Sequence, residues 1–480
     1  MPVSPAYRPD PRFMRLGPEF ADPVAPADFP ASIVRFRNQR WAEAVGLGEM
    51  TETEWVAAFA RFEPLPGNQP APLAMRYHGH QFHTYNPDLG DGRGFLYAQL
   101  REGSEDGRAD RLLDLGTKGS GQTPWSRTAD GRLTLKGGMR EVLATAMLEA
   151  LGVPTSKSFS LIETGENLVR GDEPSPTRSA VLTRLSHSHI RFGTFQRHAY
   201  LQRPDLVAQL VDHVVETYYP ALLPTQGAER AVALLQAVVA KTAHLVGRWM
   251  AAGFVHGVLN TDNMNINGES FDYGPYRFLP RNDPDFIAAY FDQNGLYSFG
   301  RQPESVFWNL QQLASCLVPL ADQAALIEAL NGFGGAYRSA LSDSMLSRLG
   351  VRSLDPTADF ELVNAAFQAL WNGGEALRWE PFFFDWFGGV ASEKRALSGL
   401  RRHLYGTDPF LTFRRQLSTF TPDRPERLAS PYFAKPEPEE LLYDEIEMIW
   451  AAIADRDDWG PFTAKLAGLD EARIAMGLRP

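Results

Sequence analysis

The chain has 480 residues, of which 44% are hydrophobic, which is enough for a sizeable core and for two or three structural units. Its formal charge of −11 (47 basic against 58 acidic residues) argues against a nucleic-acid binder that works by broad phosphate neutralisation. No run of about 18 apolar residues occurs, so no membrane span is expected. The only cysteine, Cys316, cannot form a disulfide within the chain, which fits a reducing, cytoplasmic location.

The N-terminal segment is rich in proline. Eight prolines and several acidic residues lie in the first 30 positions, without the apolar stretch of a signal peptide. The acidic residues also argue against a transit peptide. We expect an extended arm that lies on the surface or is partly disordered. A short helix is predicted after it, over residues 36–45.

A glycine-rich loop at 89–94 comes next. Gly90, Gly92 and Gly94 alternate with Asp91 and Arg93. Glycines let backbone N–H groups approach a phosphate or a ring without interference from Cβ atoms, and an arginine in such a loop suits a phosphate. A tight hairpin turn also uses glycine and aspartate, so the loop alone leaves both interpretations open.

The region up to about residue 200 has the pattern of a small α+β unit. The predicted elements are strands at 95–100, 112–118 and 132–135, a helix at 138–151, and strands at 158–162 and 179–185. A polar turn that contains Gly103 and Gly107 joins the first two strands. The helix is predicted because apolar residues recur at every fourth position from Met139 to Leu151.

A lysine and a glutamate in this unit stand where kinases carry an ion pair. Lys118 ends a predicted strand, and Glu141 follows 23 residues later on the predicted helix. In kinases a strand lysine paired with a helix glutamate positions the phosphates. A solvated lysine and an unrelated surface glutamate are the alternative.

Two arginines seven residues apart, Arg184 and Arg191, lie near the end of the last of these strands. Two guanidinium groups at such a place can hold a terminal phosphate through paired hydrogen bonds. A structural pair of surface arginines is the simpler interpretation, and the local sequence favours it. His187 and His189 lie between them, but no carboxylate or cysteine stands at ligand spacing, so no metal site is expected there.

Helices predominate after about residue 200. They are predicted at 229–252, 306–320, 323–330, 362–370 and 439–454, whereas 408–438 is proline-rich and predicted to be irregular. The first of these helices is long, ends at Gly253 and leads through two strand-like residues to His256. A long helix that delivers the chain to a catalytic loop is typical of the large lobe of a kinase.

The segment from His256 carries the strongest functional signal. It has the layout of the kinase catalytic loop H-R-D-L-x-x-x-N and of the metal loop D-F-G. Asn263 and Asp272 occupy the metal positions, and their oxygens suit Mg²⁺ or Mn²⁺. Val258 replaces the catalytic aspartate and cannot accept a proton, but an acid reappears at Asp262. His256 is expected to organise the loop from a buried position. Taken singly, Asn263 and Asp272 could also be turn residues.

These motifs resemble the selenoprotein O family of kinase-fold proteins. The resemblance covers about residues 38–313 and begins with Gly-His-Gln-Phe from Gly79. The other matching blocks are 89–93, 118–127, 140–141, 188–195, 256–264, 271–275 and 308–310. Two departures stand out: position 83 is histidine where the family usually has glycine, and the internal disulfide that a second cysteine would allow is excluded.

The resemblance implies an α+β, protein-kinase-like fold of two lobes with N- and C-terminal extensions. An N-terminal extension would cover 1–70 and a small strand-rich N-lobe with the glycine loop, Lys118 and Glu141 would cover 71–205. A helical C-lobe with the catalytic and metal loops would cover 206–400, and a helical C-terminal extension 401–480.

The family is known to bind ATP in the reverse of the kinase orientation and to transfer AMP to protein hydroxyls. Asp262 is thereby implied to accept the proton, and Asn263 and Asp272 to bind the metal. Arg184 and Arg191 would grip the buried end of the triphosphate. Nucleotide contacts are implied for Gly90, Gly92, Arg93, Lys118, Asp130, Gly131, Glu141, Arg184, Arg191 and Asp272.

We therefore expect a protein nucleotidyltransferase that transfers AMP from ATP, with Mg²⁺ or Mn²⁺, to Ser, Thr or Tyr hydroxyls of proteins. UMP transfer from UTP with Mn²⁺ is also attributed to the family. Self-modification, a monomeric state and the absence of nucleic-acid or membrane partners are further expectations. A kinase that uses the same residues in the ordinary orientation, and an inactive nucleotide-binding scaffold, are the alternatives.

Overall fold

The computed structural model describes residues 4–103, 110–171 and 173–479, which form an α+β protein. Most strands precede residue 190, and most of the helices follow it. We call the described residues between 21 and 186 the strand-rich region and those between 192 and 476 the helical region. Of the predicted polar turn, Gly103 is described, whereas Gly107 lies outside the described residues.

The strands are short except for the central pair. They are β1 (Ala21–Pro23), β2 (Ile33–Arg37), β3 (Leu73–Met75), β4 (Gly79–Gln81), β5 (Thr84–Asn86), β6 (Leu96–Arg101), β7 (Leu112–Lys118), β8 (Leu133–Thr134), β9 (Lys157–Leu168), β10 (Thr177–Ser186), β11 (Phe254–Val255) and β12 (Arg277–Phe278).

The helices lengthen towards the middle of the chain. They are α1 (Gln39–Ala44), α2 (Glu52–Phe59), α3 (Leu135–Ala150), α4 (Phe192–Tyr200), α5 (Pro204–Tyr218), α6 (Gly227–Ala251), α7 (Gln302–Leu317), α8 (Gln323–Leu349), α9 (Pro356–Gly373), α10 (Trp379–Trp386), α11 (Glu393–Ser398), α12 (Asp408–Leu417), α13 (Tyr443–Arg456) and α14 (Gly460–Met476).

Within the described residues, eight strands form one antiparallel sheet in the order β1-β3-β6-β7-β10-β9-β2, with β8 paired to β10. The register of β7 and β10 sets Lys118 opposite Leu182, and Arg184 opposite Gly116. Because directly paired residues and alternate residues of a strand share a face, Lys118 and Arg184 project from the same face of the sheet.

Helix α3 covers that face and carries Glu141. The Thr134 side chain caps the helix by accepting a hydrogen bond from the Gly137 N–H (3.1 Å). The buried Met139 and Leu143 belong to the same apolar core as Leu161 and Leu182 of β9 and β10. The predicted apolar stripe is therefore confirmed, and it fixes which side of the helix faces the sheet.

Several predicted elements differ from the structure. The helix predicted over 36–45 begins only at Gln39, after an Asn38 cap, because Phe36 belongs to β2. The helix predicted over 323–330 continues to Leu349. Part of the supposedly irregular 408–438 segment is the helix α12, whose proline lies in the first turn, where a missing N–H costs nothing.

The N-terminal arm does not simply lie on the surface. Phe13 and Phe20 are buried, and β1 pairs with β3 at the edge of the main sheet. Most of the other residues between 4 and 30 are half-buried or exposed, as expected of an arm on the surface, but these buried side chains and the pairing of β1 anchor the arm to the core.

The C-terminal helices close against the strand-rich region. Helix α14 packs on α3, and α13 is joined to α3 by an ion pair between Lys136 and Glu447 (2.8 Å). Asp457, which caps the C-terminus of α13, pairs with Arg178 of β10 (2.7 Å). The boundaries predicted at 70, 205 and 400 stay predictions. In the described part of the chain, no helix is both long and apolar enough to cross a membrane.

Candidate active site

The segment after β11 is fixed by buried hydrogen bonds. The His256 backbone N–H donates to Gln302 Oε1 (3.0 Å), and its Nε2 lies 3.0 Å from the Phe271 carbonyl oxygen. His256 is buried and joins the two predicted functional loops, as predicted. Asn309 of α7 adds a hydrogen bond from its side-chain amide to the Leu259 carbonyl (2.8 Å).

The hairpin of β4 and β5, in the strand-rich region, contacts the loop that follows β11. The Thr261 hydroxyl accepts a hydrogen bond from the His80 N–H (2.7 Å), and Asn260 Oδ1 accepts one from the Phe82 N–H (3.1 Å). A Cβ atom on Gly79 would lie 2.9 Å from Asp262 Oδ1. Only glycine therefore lets the hairpin approach Asp262 this closely.

Four charged side chains form a ring beneath the loop. Lys118 Nζ lies 2.8 Å from both Glu141 Oε2 and Asp272 Oδ1. Arg184 reaches the same two acids, at 3.4 Å from Glu141 and 3.1 Å from Asp272. The predicted pair of Lys118 and Glu141 is thus confirmed as a contact, and each cation of the ring bridges both acids.

Asp272 is held in an unusual backbone conformation. Its φ of +63° lies in the left-handed region, which aspartate tolerates better than most residues do. Burial alone would raise the pKa of this carboxyl, but Lys118, Arg184 and Arg191 hold the pKa well below its ordinary value. Asp272 is therefore an anion at neutral pH, as a metal ligand must be.

Arg184 and Arg191 are buried, with 4% and 5% of their surfaces exposed, so the interpretation as surface arginines is wrong. The local sequence could not show this, because the loops that cover them come from distant parts of the chain. Arg191 donates to the Asp262 carbonyl (2.9 Å), lies 3.3 Å from Asp91 Oδ1 and stacks against the Tyr77 ring. It thereby links the glycine loop at 89–94 to the loop at 256–263 that carries Asp262, which we call the catalytic-type loop.

Asp262 has one carboxylate oxygen without a partner. Its Oδ1 is buried and, among the described residues, accepts no hydrogen bond. Burial raises the pKa of Asp262 to about 6 against the opposing charge of Arg191. A buried acceptor without a donor is costly, and such groups are often completed by a substrate, a water or an ion.

Asn263 and Asp272 together fit a hard divalent cation. The Asn263 amide donates to the Val258 carbonyl (2.9 Å), so the side-chain oxygen is the atom left to act as a ligand. Over the described ranges, no group of three or more His, Cys, Asp or Glu side chains could enclose a metal. An ion here would complete its shell with phosphate oxygens and water, as Mg²⁺ does at nucleotide sites.

The glycine loop packs against the loop that follows Lys118. A Cβ atom on Gly90 would lie 2.4 Å from the Trp125 ring, and one on Gly92 would lie 2.8 Å from the Trp125 carbonyl oxygen. The Thr123 hydroxyl donates to the Asp91 carbonyl (2.6 Å). Close packing is thus one reason for glycine at both positions, and it brings Gly90 and Gly92 beside the 118–127 segment.

Two exposed arginines lie near the acids of the site. Burial is the largest effect on both acids and raises their pKa. Acting against burial, Arg93 contributes to lowering the pKa of Asp272, and Arg127 contributes to lowering that of Asp262. Arg127 has a φ of +54° and forms no ion pair with a described residue. Sequence reasoning did not single out Arg127, although its place in a glycine- and proline-containing loop after Lys118 was an available signal.

Asp130 and Gly131 lie at the far end of the same loop. Among the described residues, neither forms a hydrogen bond or an ion pair with the four side chains of the ring. Asp130 pairs with Arg170 (2.8 Å) and lines an open cavity of about 520 Å³. Gly131 has a φ of +69°, and its carbonyl accepts a hydrogen bond from the Gly121 N–H (3.2 Å). The segment 118–131 thus runs from the buried ring to this cavity.

Comparison with known proteins identifies the family of this chain. The family model described as "Protein adenylyltransferase SelO" matches residues 6–469. The chain belongs to the SelO family. A protein nucleotidyltransferase YdiU of Synechocystis sp. is 46% identical over 472 residues, which cover 94% of this chain and 96% of the relative.

Two further relatives, also named protein nucleotidyltransferase YdiU, match this chain over different lengths. The YdiU protein of Synechococcus elongatus is 45% identical over 477 residues, covering 95% of this chain and 94% of its own. That of Vibrio cholerae is 38% identical over 363 residues, covering 75% and 71%. The SelO match includes every residue of the ring and of both loops.

Proposed function

We propose that this chain transfers AMP from ATP to Ser, Thr or Tyr hydroxyls of proteins. As a member of the SelO family it is a protein nucleotidyltransferase. We further propose that the strand-rich and helical regions correspond to the two lobes of a kinase-like fold, with the nucleotide between them. The α+β architecture and the sheet-borne Lys118 paired with Glu141 of α3 support this arrangement.

The observation that carries the proposal is the depth of the cations. Lys118, Arg184 and Arg191 are each at most 5% exposed, whereas Arg93 and Arg127 are exposed. A triphosphate that entered with its terminal phosphate first would place its most charged end on the three buried cations. Its α-phosphate would then lie towards the opening, near Asp262. A kinase needs the opposite arrangement, with the γ-phosphate facing the acceptor.

The transfer itself requires one nucleophilic displacement at the α-phosphorus. The acceptor oxygen forms a bond to the α-phosphorus, and the bond from that phosphorus to the oxygen bridging the α- and β-phosphates breaks, so pyrophosphate leaves. The hydroxyl proton goes to the unpartnered Oδ1 of Asp262. The buried cations hold the pyrophosphate end in place and stabilise its growing negative charge.

We assign Asn263 and Asp272 to a divalent cation. When bound, Mg²⁺ or Mn²⁺ would neutralise phosphate charge and favour departure of pyrophosphate. The chain's own contribution is to keep Asp272 ionised through Lys118 and Arg184 and to turn the Asn263 oxygen outward by its bond to Val258. UTP with Mn²⁺ is proposed as a second donor.

The remaining predicted nucleotide contacts are proposed with the geometry that supports them. Gly90, Gly92 and Arg93 lie near the ring. Asp130 borders the open cavity, which is large enough for part of a nucleoside, and Gly131 is the next residue in the chain. A cytoplasmic location, a monomeric state and self-modification are proposed on the sequence alone.

Labelled ATP tests the reaction class. The purified chain is incubated with a protein acceptor, Mg²⁺ or Mn²⁺, and ATP labelled at either the α- or the γ-phosphate, and products are identified by intact mass. Label from the α position alone, with a mass gain of one AMP, supports the proposal. Label from the γ position alone supports a kinase. Nucleotide binding without label from either position supports an inactive scaffold.

A further inference from the structure

The two residues at the tip of the β4–β5 hairpin are of types that are unusual for their turn. Gln81 pairs with Thr84, so Phe82 and His83 alone form the loop, and their φ angles are +48° and +62°. A two-residue loop with two positive φ angles is a type I′ turn, which strongly favours Asn-Gly. Phenylalanine and histidine are strained there.

Contacts with the site compensate for this strain. The Phe82 N–H is bonded to Asn260 of the catalytic-type loop, and the His83 ring stacks on Trp308 with 4.0 Å between ring centroids. Strained residues that neighbouring structure holds in place cluster at functional sites. The turn therefore fixes the Phe82 side chain in one position beside Asn260, two residues before Asp262.

Phe82 is part of an exposed apolar surface. Phe82 is 37% exposed, Phe291 is 47% exposed and Tyr290 is 76% exposed. The Phe82 ring lies 6.0 Å from that of Phe291, which lies 5.2 Å from Tyr290. We call these three residues the aromatic lip. Contiguous apolar surfaces of this kind on a soluble domain mark interaction sites.

The lip continues directly into the catalytic-type loop. The Phe82 ring lies 5.0 Å from that of the buried Tyr297, whose hydroxyl donates to Asn260 Oδ1 (2.9 Å). The same Asn260 oxygen accepts the Phe82 N–H, and Gly79 of the same hairpin abuts Asp262. Any chain that brings a hydroxyl to Asp262 must pass close to the lip.

We propose that the aromatic lip is the docking surface for the acceptor protein and takes an apolar or aromatic side chain near the modified hydroxyl. The inference rests on the proposed function. The triphosphate is recognised by the buried cations and cannot use an apolar surface, whereas a protein acceptor can. Phe82 is bonded to Asn260 and Gly79 of the same hairpin abuts Asp262, so we place the docked side chain within a few residues of the acceptor hydroxyl.

Two peptides test the docking preference. Each carries one threonine in a serine-free, glycine-rich background, with phenylalanine three residues before it in one peptide and asparagine in the other. Transfer is followed with α-labelled ATP and mass spectrometry. We expect kcat/KM to be about tenfold higher for the phenylalanine peptide, because one anchored aromatic side chain carries much of the affinity at a small interface.

Variants of the lip separate docking from folding. Phe82→Asn removes the ring but suits a positive φ, so it should not lower the melting temperature. It should raise the KM for the phenylalanine peptide about tenfold, abolish the preference and leave the Kd for ATP unchanged. Phe291→Ser provides a second variant with the same expected loss of preference. Phe360→Ser, at a 49% exposed position on α9, is the matched control and should behave like the wild type.

The outcomes distinguish the two proposals. Equal transfer to both peptides by the wild type, or a preference that survives in Phe82→Asn and Phe291→Ser, overturns the docking inference and leaves the proposed function standing. Absence of α-label transfer to any acceptor overturns both. If the lip variants instead change only the sedimentation mass or the binding to phosphatidylcholine vesicles, the lip serves a second copy of the chain or a lipid surface, and the inference is wrong.

Discussion

Two buried clusters of charge in this molecule look alike in a list of ion pairs but differ in their hydrogen bonding. In the helical region, Arg401 binds both oxygens of Asp385 (2.7 and 3.0 Å), and the Tyr405 hydroxyl donates to the same carboxylate (2.5 Å). Arg401 also reaches Glu437 (2.7 Å). Among the described residues, the Asp385, Arg401 and Tyr405 side chains leave no buried polar atom without a partner.

The cluster around Lys118 is incompletely satisfied. The Nε atoms of Arg184 and Arg191 and the Oδ1 of Asp262 are buried without hydrogen-bond partners in the described part of the chain. Because unsatisfied buried groups are costly, a cluster that retains them is suited to receive something else, here a triphosphate and an acceptor. A buried ion pair alone therefore does not mark an active site. Nor does one unsatisfied atom, since the Nε of Arg348, which pairs with the buried Glu380, also lacks a partner among the described residues. The cluster around Lys118 is distinguished by having three such groups beside the two predicted functional loops.

The largest effect is expected at Asp272. Asp272→Ala should abolish metal-dependent transfer, because it removes the charged metal ligand and leaves Lys118 and Arg184 with Glu141 alone. Transfer of α-label with Mg²⁺ and with Mn²⁺ measures the loss. Asp470→Ala, at a 53% exposed surface carboxylate, should leave the rate unchanged. Retained activity in Asp272→Ala would remove this residue from the metal site.

Lys118→Ala should have the next largest effect. The terminal phosphates would lose one of three buried cations, and the misplacement of the α-phosphate should cut kcat by roughly 10²-fold. Single-turnover transfer and the Kd for ATP separate the effects on chemistry and on binding. Lys394→Ala, on the exposed surface of α11, is the control. A rate equal to that of the wild type would show that Lys118 does not position phosphates.

The sequence predicted the parts of this site that depend on local pattern. Strand 112–118 has its predicted bounds, and apolar periodicity placed Glu141 on a helix that packs over Lys118. The burial of Arg184 and Arg191 could not be predicted in this way, because it depends on loops some 70 to 90 residues later in the chain. The residues left phosphate binding as the less favoured of two interpretations, and the resemblance to a family favoured it.

Other misses had a similar physical origin. The segment 408–438 was predicted to be irregular because it is rich in proline, although a proline in the first turn, as in α12, favours a helix start. The β4–β5 turn carries Phe82 and His83 where the usual sequence is Asn-Gly, so no turn signal was present. In both places the surrounding structure decided the conformation, and at the turn it did so against local preference.

A smaller effect is expected at Arg127, an exposed residue near the incompletely hydrogen-bonded cluster around Lys118. Arg127→Ala should reduce kcat/KM about tenfold, because an exposed cation near Asp262 is partly screened by solvent and salt. Arg127→Lys keeps the charge and should retain most of the activity. The difference between the two variants should shrink as ionic strength rises. A loss that is equal in both variants and independent of salt would point to the backbone conformation instead of the charge.

The cluster of Asp385, Arg401 and Tyr405, which has no buried polar atom without a partner among the described residues, should show the reverse pattern, a loss of stability without a loss of activity. Asp385→Asn removes the charge that Arg401 and Tyr405 share, and breaking a buried pair of this kind costs about 3–5 kcal/mol. We expect a lower melting temperature and a lower denaturation midpoint, while transfer per folded molecule stays that of the wild type. The matched measurement is the rate at a temperature where both proteins are fully folded. If the rate falls there while the melting temperature is unchanged, this cluster serves the reaction, and complete hydrogen bonding cannot be used to tell structural ion clusters from functional ones.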